Sequence, residues 1–500
     1  MKKKGRLVDM KKLIVILFII FGAFLTFSLY RTFAYDTSVV EEVPSTTDLE
    51  YTFKIGNSSI KQITVDSGET RYYDIVLGNP NNAKISYSVY YEMVSPSSKP
   101  DDYKIEYTSK STGESTGIVN NNGNITLNIV VTNTSSNAVT VKVGTVAGYV
   151  KGGELTLNSG QEVIPKKVFP KATYVVEHLD DGTTGDSGSG VYKITHSAIP
   201  AESSATGSEI PAVTDYRYYG PRPNNYICLD MEGSSTCPDK HLYKIIGSIY
   251  EELEGTNRIK VIKASLITDG KTNGFSWDYK SDGTYDNIWA TPTNGNYSNS
   301  LTSGSQLMKL LNSGVWWNGT SGSYYNESTT ATIVNFTNYK LSDKAKSYIS
   351  ISRYYLGGYN TSRGVMTNQF YVYERGTARY DVNRPLYWDG MVGLIYLSDY
   401  GYAAGNNCVT GIDPYNYYSK GCMNKDWLYY SSTYQWLMSP YSNFSDLVFG
   451  VDGAGYVSAG SVIGGGGDYL CSVRPSFYLT SDVVITSGTG TSSDPYQITK

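Results

Sequence analysis

The chain has 500 residues, 40% of them hydrophobic and 18% charged, a balance that excludes a disordered polyelectrolyte and predicts about three domains. With 42 Lys and Arg against 46 Asp and Glu the formal net charge is −4, so no general attraction to phosphate backbones follows, and nucleic acid is not an expected partner. One bias stands out: 47 tyrosines beside 50 glycines and only 3 histidines, an excess of rigid rings that carry a polar handle.

Residues 1–35 read as an export signal or an N-terminal membrane anchor. Lys2, Lys3, Lys4, Arg6, Lys11 and Lys12 precede an uncharged apolar run from Leu13 to Tyr30, and 18 residues at helical rise span about 27 Å, close to the hydrocarbon thickness of a bilayer. The basic cluster would stay cytoplasmic, which places the remainder outside the cell. Thr32-Phe33-Ala34 resembles a cleavage site while the run exceeds the usual signal length, so retention in the membrane through residues 13–30 and release after cleavage both fit.

Residues 47–160 alternate with period two. Ile85, Tyr87, Val89 and Tyr91 share one strand face, as do Ile125, Leu127, Ile129 and Val131, and turn signals recur at Ser67-Gly68, Asn79-Pro80-Asn81-Asn82 and Asn121-Asn122-Gly123. An antiparallel β-sandwich is the expected fold. Residues 161–215, with Asp180-Asp181-Gly182 and a Gly/Ser run at 185–190, read as a linker. Residues 216–500 read as a loop-rich α+β domain with short helices at 305–311 and 342–349, the second opened by an N-cap serine, and a hairpin around Asp452-Gly453.

All five cysteines lie beyond residue 220, which fits an oxidising location. Loop length favours the pairs Cys228 with Cys237 and Cys408 with Cys422, each worth about 2–3 kcal/mol in the chain-entropy account, among 15 arrangements that two bridges allow. Cys471 is left over. No CxxC or Cys/His spacing calls for zinc, and neither a metal nor a cofactor is expected.

Within the larger domain, Tyr434-Gln435-Trp436-Leu437-Met438-Ser439-Pro440, the Asp452-Gly453 hairpin and Ser472-Val473-Arg474-Pro475-Ser476-Phe477-Tyr478-Leu479 occur in order. This region resembles a family of uncharacterised exported domains of low-GC Gram-positive bacteria whose pattern runs W-L-x-S-P, V-x-x-x-G-x-V, V-R-P-x-x-x-L. The order of features is also similar, more distantly, to the C-type-lectin-like fold of the formylglycine-generating family, which implies a compact lectin-like α+β domain. The Glu-Pro-Asn, Gln-Pro-Asp and Trp-Asn-Asp strings of calcium-dependent lectins are absent, as is the cysteine pair of the oxidases, so the resemblance implies neither calcium-mediated sugar binding nor oxidase chemistry. The first domain is similar in strand pattern to sandwiches of the biofilm-fibre and camelysin group.

Two constellations are candidate ligand sites. Residues 374–389 bring together Arg375, Arg379, Trp388 and Asp389, and Arg beside aromatic rings can bind carboxylates or acidic sugars; the competing reading is a loop held by its own ion pairs. Trp427, Tyr429 and Tyr430, like Trp316-Trp317, sit beside Gly and Asn loops, with Tyr415, Tyr417, Tyr418 and Tyr434 clustered near the former in sequence, and exposed aromatics of this kind gain contact area at low entropy cost; core packing is the competing reading. Arg474 is expected to satisfy loop carbonyls. Asp389, Asp399 and Asp452 form no evident acid/base pair, and Cys471 with His241 matches no nucleophile motif. The expected function is a cell-surface or secreted non-catalytic binding or adhesion protein for an extracellular glycan or protein ligand. A structural surface-fibre component and an exported hydrolase are the alternatives.

Overall fold

The computed structural model describes residues 52–55, 62–108, 111–150, 155–179, 188–268, 274–290, 304–405, 407–464 and 471–500. The apolar segment 13–30 and the glycines at 465–467 lie outside the described residues. Among those described, no helix is long and apolar enough to cross a membrane. The chain divides into two units, Met1–Val168 and Phe169–Lys500.

Among the described residues the first unit is a β-sandwich of nine antiparallel strands: β1 Thr52–Ile55, β2 Gln62–Val65, β3 Glu69–Gly78, β4 Ile85–Ser95, β5 Tyr103–Tyr107, β6 Thr116–Val119, β7 Asn124–Asn133, β8 Val139–Tyr149 and β9 Gln161–Val163. One sheet runs β1-β3-β7-β5; the other runs β2-β8-β4-β6, with β9 also on β4. The strands form where the period-two pattern lies, because alternate side chains must face one core. Ile85, Tyr87, Val89 and Tyr91 of β4 and Ile125, Leu127, Ile129 and Val131 of β7 all enter it, each aliphatic side chain contributing about 1.5–3 kcal/mol on burial. The Tyr87 and Tyr91 rings are buried while their hydroxyls donate to the Glu114 carbonyl (2.7 Å) and to the Glu162 carboxylate. At the turn after β3, the buried Asn79 amide donates to the carbonyls of Ala83, Val119 and Asn120, and Asn122 adopts the left-handed φ of 54° that asparagine tolerates.

The linker expected over 161–215 is not one. β9 closes the sandwich, while α1 (Ala172–Glu177) and β10 (Gly190–His196) belong to the second unit, where β10 pairs with β11 (Val213–Tyr219) over its whole length. Average polarity hid the strand: only Val191, Tyr192 and His196 of β10 are buried, and Gly190, Lys193 and Thr195 interrupt its apolar pattern.

The large sheet of the second unit adds β12 Tyr226–Cys228, β13 Leu242–Glu251 and β14 Thr256–Lys263, with β22 Ser476–Tyr478, β23 Val484–Ser487 and β24 Tyr496–Thr499 from the end of the chain. Its order is β10-β11-β13-β12-β24-β23, and β14 pairs with both β13 and β22. Between them the chain forms the hairpin of β15 (Ser321–Tyr324) and β16 (Thr332–Asn335), the pair β17 (Ser352–Tyr355) and β18 (Tyr387–Gly390), and the three-stranded β19 (Gln435–Pro440), β20 (Leu447–Val451) and β21 (Val457–Ser461). Short helices decorate this unit: α2 Gln306–Asn312, α3 Asp343–Ser347, α4 Thr367–Glu374, α5 Leu397–Ala403 and α6 Asn407–Gly411. Ser305 and Ser342 cap α2 and α3 by accepting the Met308 and Ala345 amides, both at 3.1 Å. The β20–β21 hairpin forms as expected, although its left-handed residue is Gly455 (φ 91°) and Asp452 accepts the amides of Ala454 and Tyr456.

Cys228–Cys237 and Cys408–Cys422 are disulfide-bonded and Cys471 is free and buried. Trp277, Trp289, Trp316, Trp388 and Trp436 are all buried in one core, so the larger unit spends most of its tryptophan on packing. Truncating Leu127 to Ala should cost about 2–5 kcal/mol in the sandwich. Hydrogen exchange on the full chain checks this: β3 and β7 should lose protection while β13 and β14 keep theirs, and unchanged protection in β7 would contradict the assignment of Leu127 to the core.

Candidate functional site

The second unit is organised around buried charge. Asp215 and Arg217 lie two residues apart on β11, which puts both side chains on one face. Arg217 donates to Asp215 (2.9 Å) and to Asp399 of α5 (2.7 Å), and Lys260 of β14 reaches the other oxygen of Asp399 at 2.5 Å. Both carboxylates also accept backbone amides, Asp215 from Tyr250 and Asp399 from Tyr396, each at 3.0 Å. Burial opposes ionisation of Asp399, yet Lys260 and Arg217 outweigh it and hold its pKa down to about 2. Burial likewise opposes ionisation of Asp215, but Arg217, His196 and the Tyr250 amide together outweigh it and hold its pKa well below the usual carboxylate range. His196 donates Nε2–H to Asp215 (3.1 Å) and stacks on Tyr371 with ring centroids 3.5 Å apart. Its pKa is lowered because burial outweighs that hydrogen bond, so it is neutral at pH 7.

Next to this network a small cleft is lined by Ile210, Tyr250, Glu251, Glu252, Arg353, Tyr355, Tyr371, Arg375, Tyr396 and Tyr478. The free space at its base suits one water-sized group. It therefore fits the tip of a ligand, such as a hydroxyl or amide, and not a whole small molecule. β13 contributes Tyr250 and Glu251 at its end, followed by Glu252, β17 contributes Arg353 and Tyr355, and α4 contributes Tyr371 and is followed by Arg375. The Arg353 guanidinium is clamped on both oxygens of Asp389 (2.8 and 2.9 Å) and lies 4.3 Å from the Tyr387 ring centroid. The Arg375 guanidinium lies 3.5 Å over the Tyr371 ring, and its Nη1 donates to the Tyr371 carbonyl at 3.2 Å.

The cleft also holds one buried polar atom without a partner among the described residues. Glu252 touches Arg353 with one oxygen (3.5 Å) and its Oε2 is buried without a partner; burial pushes its pKa up against the pull of Arg353. Glu251, by contrast, is fully engaged with the amides of Leu253, Glu254 and Arg353 and with Arg258. Carboxylates balance the two guanidinium groups, so the cleft suits a neutral polar group.

The sequence-derived candidates thus separate. Arg375 lines the cleft, and Asp389 acts one step behind it through Arg353. Trp388, on β18 directly opposite Tyr354 of β17, is buried with its ring 5.5 Å from that of Tyr354, which corrects its assignment as a contact residue. Arg379 donates to the Arg384 carbonyl at 2.6 Å and holds the loop; it is not among the residues lining the cleft. Trp427 is buried, its indole N–H donating to the Tyr218 carbonyl at 2.9 Å, so its expected exposure is also corrected. Tyr429 donates its hydroxyl to the Gly453 carbonyl, while Tyr430 is exposed beside Arg474. Arg474 donates to the Leu428 carbonyl and to Gln435, as a structural arginine should. The Cys471 thiol is pushed up by burial and so holds little thiolate.

Most of the cleft escaped the sequence reading. Tyr250-Glu251-Glu252 ends a strand followed by a tight return, and Arg353-Tyr354-Tyr355 repeats the Arg-aromatic signal read at 375–389; both were detectable. The contributions of Tyr396, Tyr478 and the buried Asp399 were not, because each lies far away in the chain.

Asp230, Glu232 and His241 bring potential ligand atoms within 4.8 Å of one another. Lys240 sits 2.8 Å from Glu232 and Lys344 3.6 Å from Asp230, while Ser342 donates to Asp230 and His241 bonds Glu232. Two ammonium groups already supply the positive charge, and the cluster stabilises the Cys228–Cys237 loop.

No protein-family model matches the chain, and no curated protein matches it. Among solved structures, the ASH/PapD-like domain of human CEP192 (PapD-like domain 7) aligns at 13% identity over 24% of this chain and 96% of that one, with a TM-score of 0.13, too low to carry any argument about this protein.

All seven tryptophans lie in the second unit, so their fluorescence follows its unfolding alone. His196 and Asp399 both have depressed folded-state pKa values, so at these two sites the unfolded chain binds more protons than the native one and their contribution to stability falls on acidification. The urea midpoint should begin to drop below about pH 6.5 through His196, and drop further from about pH 3.9 toward 2 through Asp399. Asp399→Asn should cost about 3–5 kcal/mol at pH 7 by stranding Arg217 and Lys260 and should flatten the lower limb; an unaltered acid profile would remove Asp399 as its source.

Proposed function

We propose that this protein is an exported, cell-surface or secreted binding protein whose second unit recognises an extracellular glycan, with a lectin-like arrangement of loops over a strand scaffold. The resemblance of residues 216–498 to exported Gram-positive domains and the two disulfides support the extracellular setting. The observation that carries the reading is the cleft: tyrosine rings, two guanidinium groups and the unpartnered Glu252 Oε2 converge on a space with room for one polar tip.

Sugar recognition uses these components. Hydroxyl groups both donate and accept, so a carboxyl and a guanidinium side by side can satisfy one hydroxyl, and aromatic faces cover the C–H surface of a pyranose. Arg353, Arg375 and the tyrosines are held by Asp389, by stacking and by the buried network beneath, and such preorganisation lowers the ordering cost on binding. The sandwich serves in this reading as a spacer.

A glycan array probed with the full chain tests the proposal. Neutral glycans should bind, and Glu252→Ala should weaken the best of them about tenfold, or about 1.4 kcal/mol, without shifting the melting temperature. Silence across glycans, or binding indifferent to Glu252, would refute it; turnover of a glycoside would favour an exported hydrolase.

A further inference from the structure

The hydrogen-bonding capacity left unused around the cleft defines the group that fills it. Glu252 meets Arg353 with one oxygen at 3.5 Å, and its Oε2 is buried without a partner among the described residues. The terminal torsion of a glutamate is broad, so a small turn of the carboxyl offers that oxygen to a donor in the cleft. Arg353 has its donors engaged, with Nε and Nη2 on Asp389 and Nη1 on Glu252. Arg375, only 4% exposed, spends Nη1 on the Tyr371 carbonyl, while its Nε and Nη2 donate to no described residue. Tyr371 and Tyr478 are each 3% exposed, yet their hydroxyls bond no described residue and are not sealed in the interior. Both open on the cleft that these residues line. The spare set is one acceptor, the donors of a cation, and two hydroxyls that act either way.

Charge and size then select among ligand groups. A carboxylate brings acceptors only and is repelled by Glu252; an ammonium brings donors only and is repelled by Arg375. A planar amide spreads donor and acceptor over two atoms and needs more room than the water-sized space at the base. A hydroxyl carries one donor and two lone pairs on a single atom, matching Glu252 Oε2 on one side and Arg375 or a tyrosine hydroxyl on the other, and it has the size of the water it replaces. We infer that the cleft takes the exocyclic hydroxymethyl group of a neutral hexopyranose. This rests on the glycan reading above and narrows it to a sugar class. A hydroxyl borne directly on the ring is flanked by carbons with substituents of their own, and burying it drives those groups against the walls. The hydroxymethyl group sets its oxygen one carbon farther out, so a single narrow arm enters and the ring stays at the mouth. Pentoses, 6-deoxyhexoses and uronic acids lack that arm or end it in the wrong group.

Saturation-transfer NMR and competition titrations on the full chain provide the test. The probes are the methyl glycosides of glucose, galactose and mannose, each beside the pentoside that lacks only its hydroxymethyl group, its 6-deoxy analogue and its uronate, with glycerol as a primary alcohol without a ring. The hexoside that binds best should exceed its pentoside, 6-deoxy and uronate analogues about tenfold or more, because without the hydroxyl the buried groups stay unpaired, and its C6 protons should receive the strongest saturation. In Glu252→Ala the hexoside and its pentoside should bind alike. An analogue as tight as the hexoside, glycerol as tight as the hexoside, or equal weakening of hexoside and pentoside in Glu252→Ala would each overturn the inference. If glycans bind on the array while every hexoside is silent up to its solubility, the inference falls and the glycan reading stands; silence on the array as well removes both. The wild-type chain decides the matter even if Glu252→Ala fails to fold.

Discussion

The pairing of Arg217 and Lys260 with Asp215 and Asp399 is the constraint on which the larger unit depends. Four charges with almost no solvent exposure are tolerable only while each keeps its partner, because an isolated buried ion costs several kcal/mol. Since the partners come from β11, β14 and α5, the network admits one arrangement of these elements. It does not follow that the network adds net stability, for a well-packed apolar substitute can do as well. Its contribution is to penalise every packing in which one ion is stranded.

The cleft inherits its order from that constraint. Asp399 accepts the Tyr396 amide at the start of α5, Asp215 accepts the Tyr250 amide, and Lys260 lies 4.5 Å from the Tyr396 ring centroid. Tyr250 and Tyr396 are cleft-lining residues, so the walls are bonded directly to the buried ions. A second buried carboxyl, Glu374, accepts from the Ser398 amide and hydroxyl and from Ser439, fixing the end of α4 from which Arg375 projects. Groups prepared in this way lose little freedom when a ligand arrives.

Tyrosine explains much of how the chain reaches this state with few charges. In the sandwich its rings fill the core and its hydroxyls reach edge carbonyls and carboxylates, as with Tyr87 and Tyr91. In the larger unit it faces cations: Arg217 over Tyr402, Lys260 over Tyr396 and Tyr478, Arg375 over Tyr371 and Tyr355, Lys244 over Tyr226. A ring face stabilises a desolvated cation without itself being charged, which lets positive groups be buried with fewer carboxylates than they would otherwise need. The tryptophans, expected in part on exposed loops, instead pack the core, because the flanking Gly and Asn that suggested loops are compatible with loops folded inward.

What could be read from the chain alone concerns interactions between residues close in sequence. The alternation of β4 and β7, the serine caps of α2 and α3, the β20–β21 hairpin and the two short disulfide loops all depend on spacings of fewer than about fifteen residues, where backbone geometry and loop entropy act directly. The tertiary structure alone decided which charged residues are buried, where one unit ends and the next begins, and which aromatic rings line the cleft. Arg217 and Asp399 are 182 positions apart and Lys260 and Asp399 are 139 apart. In the sequence each is an ordinary polar residue; only desolvation in a shared interior, a property of the folded volume and not of any local segment, turns them into a network and sets the cleft beside it.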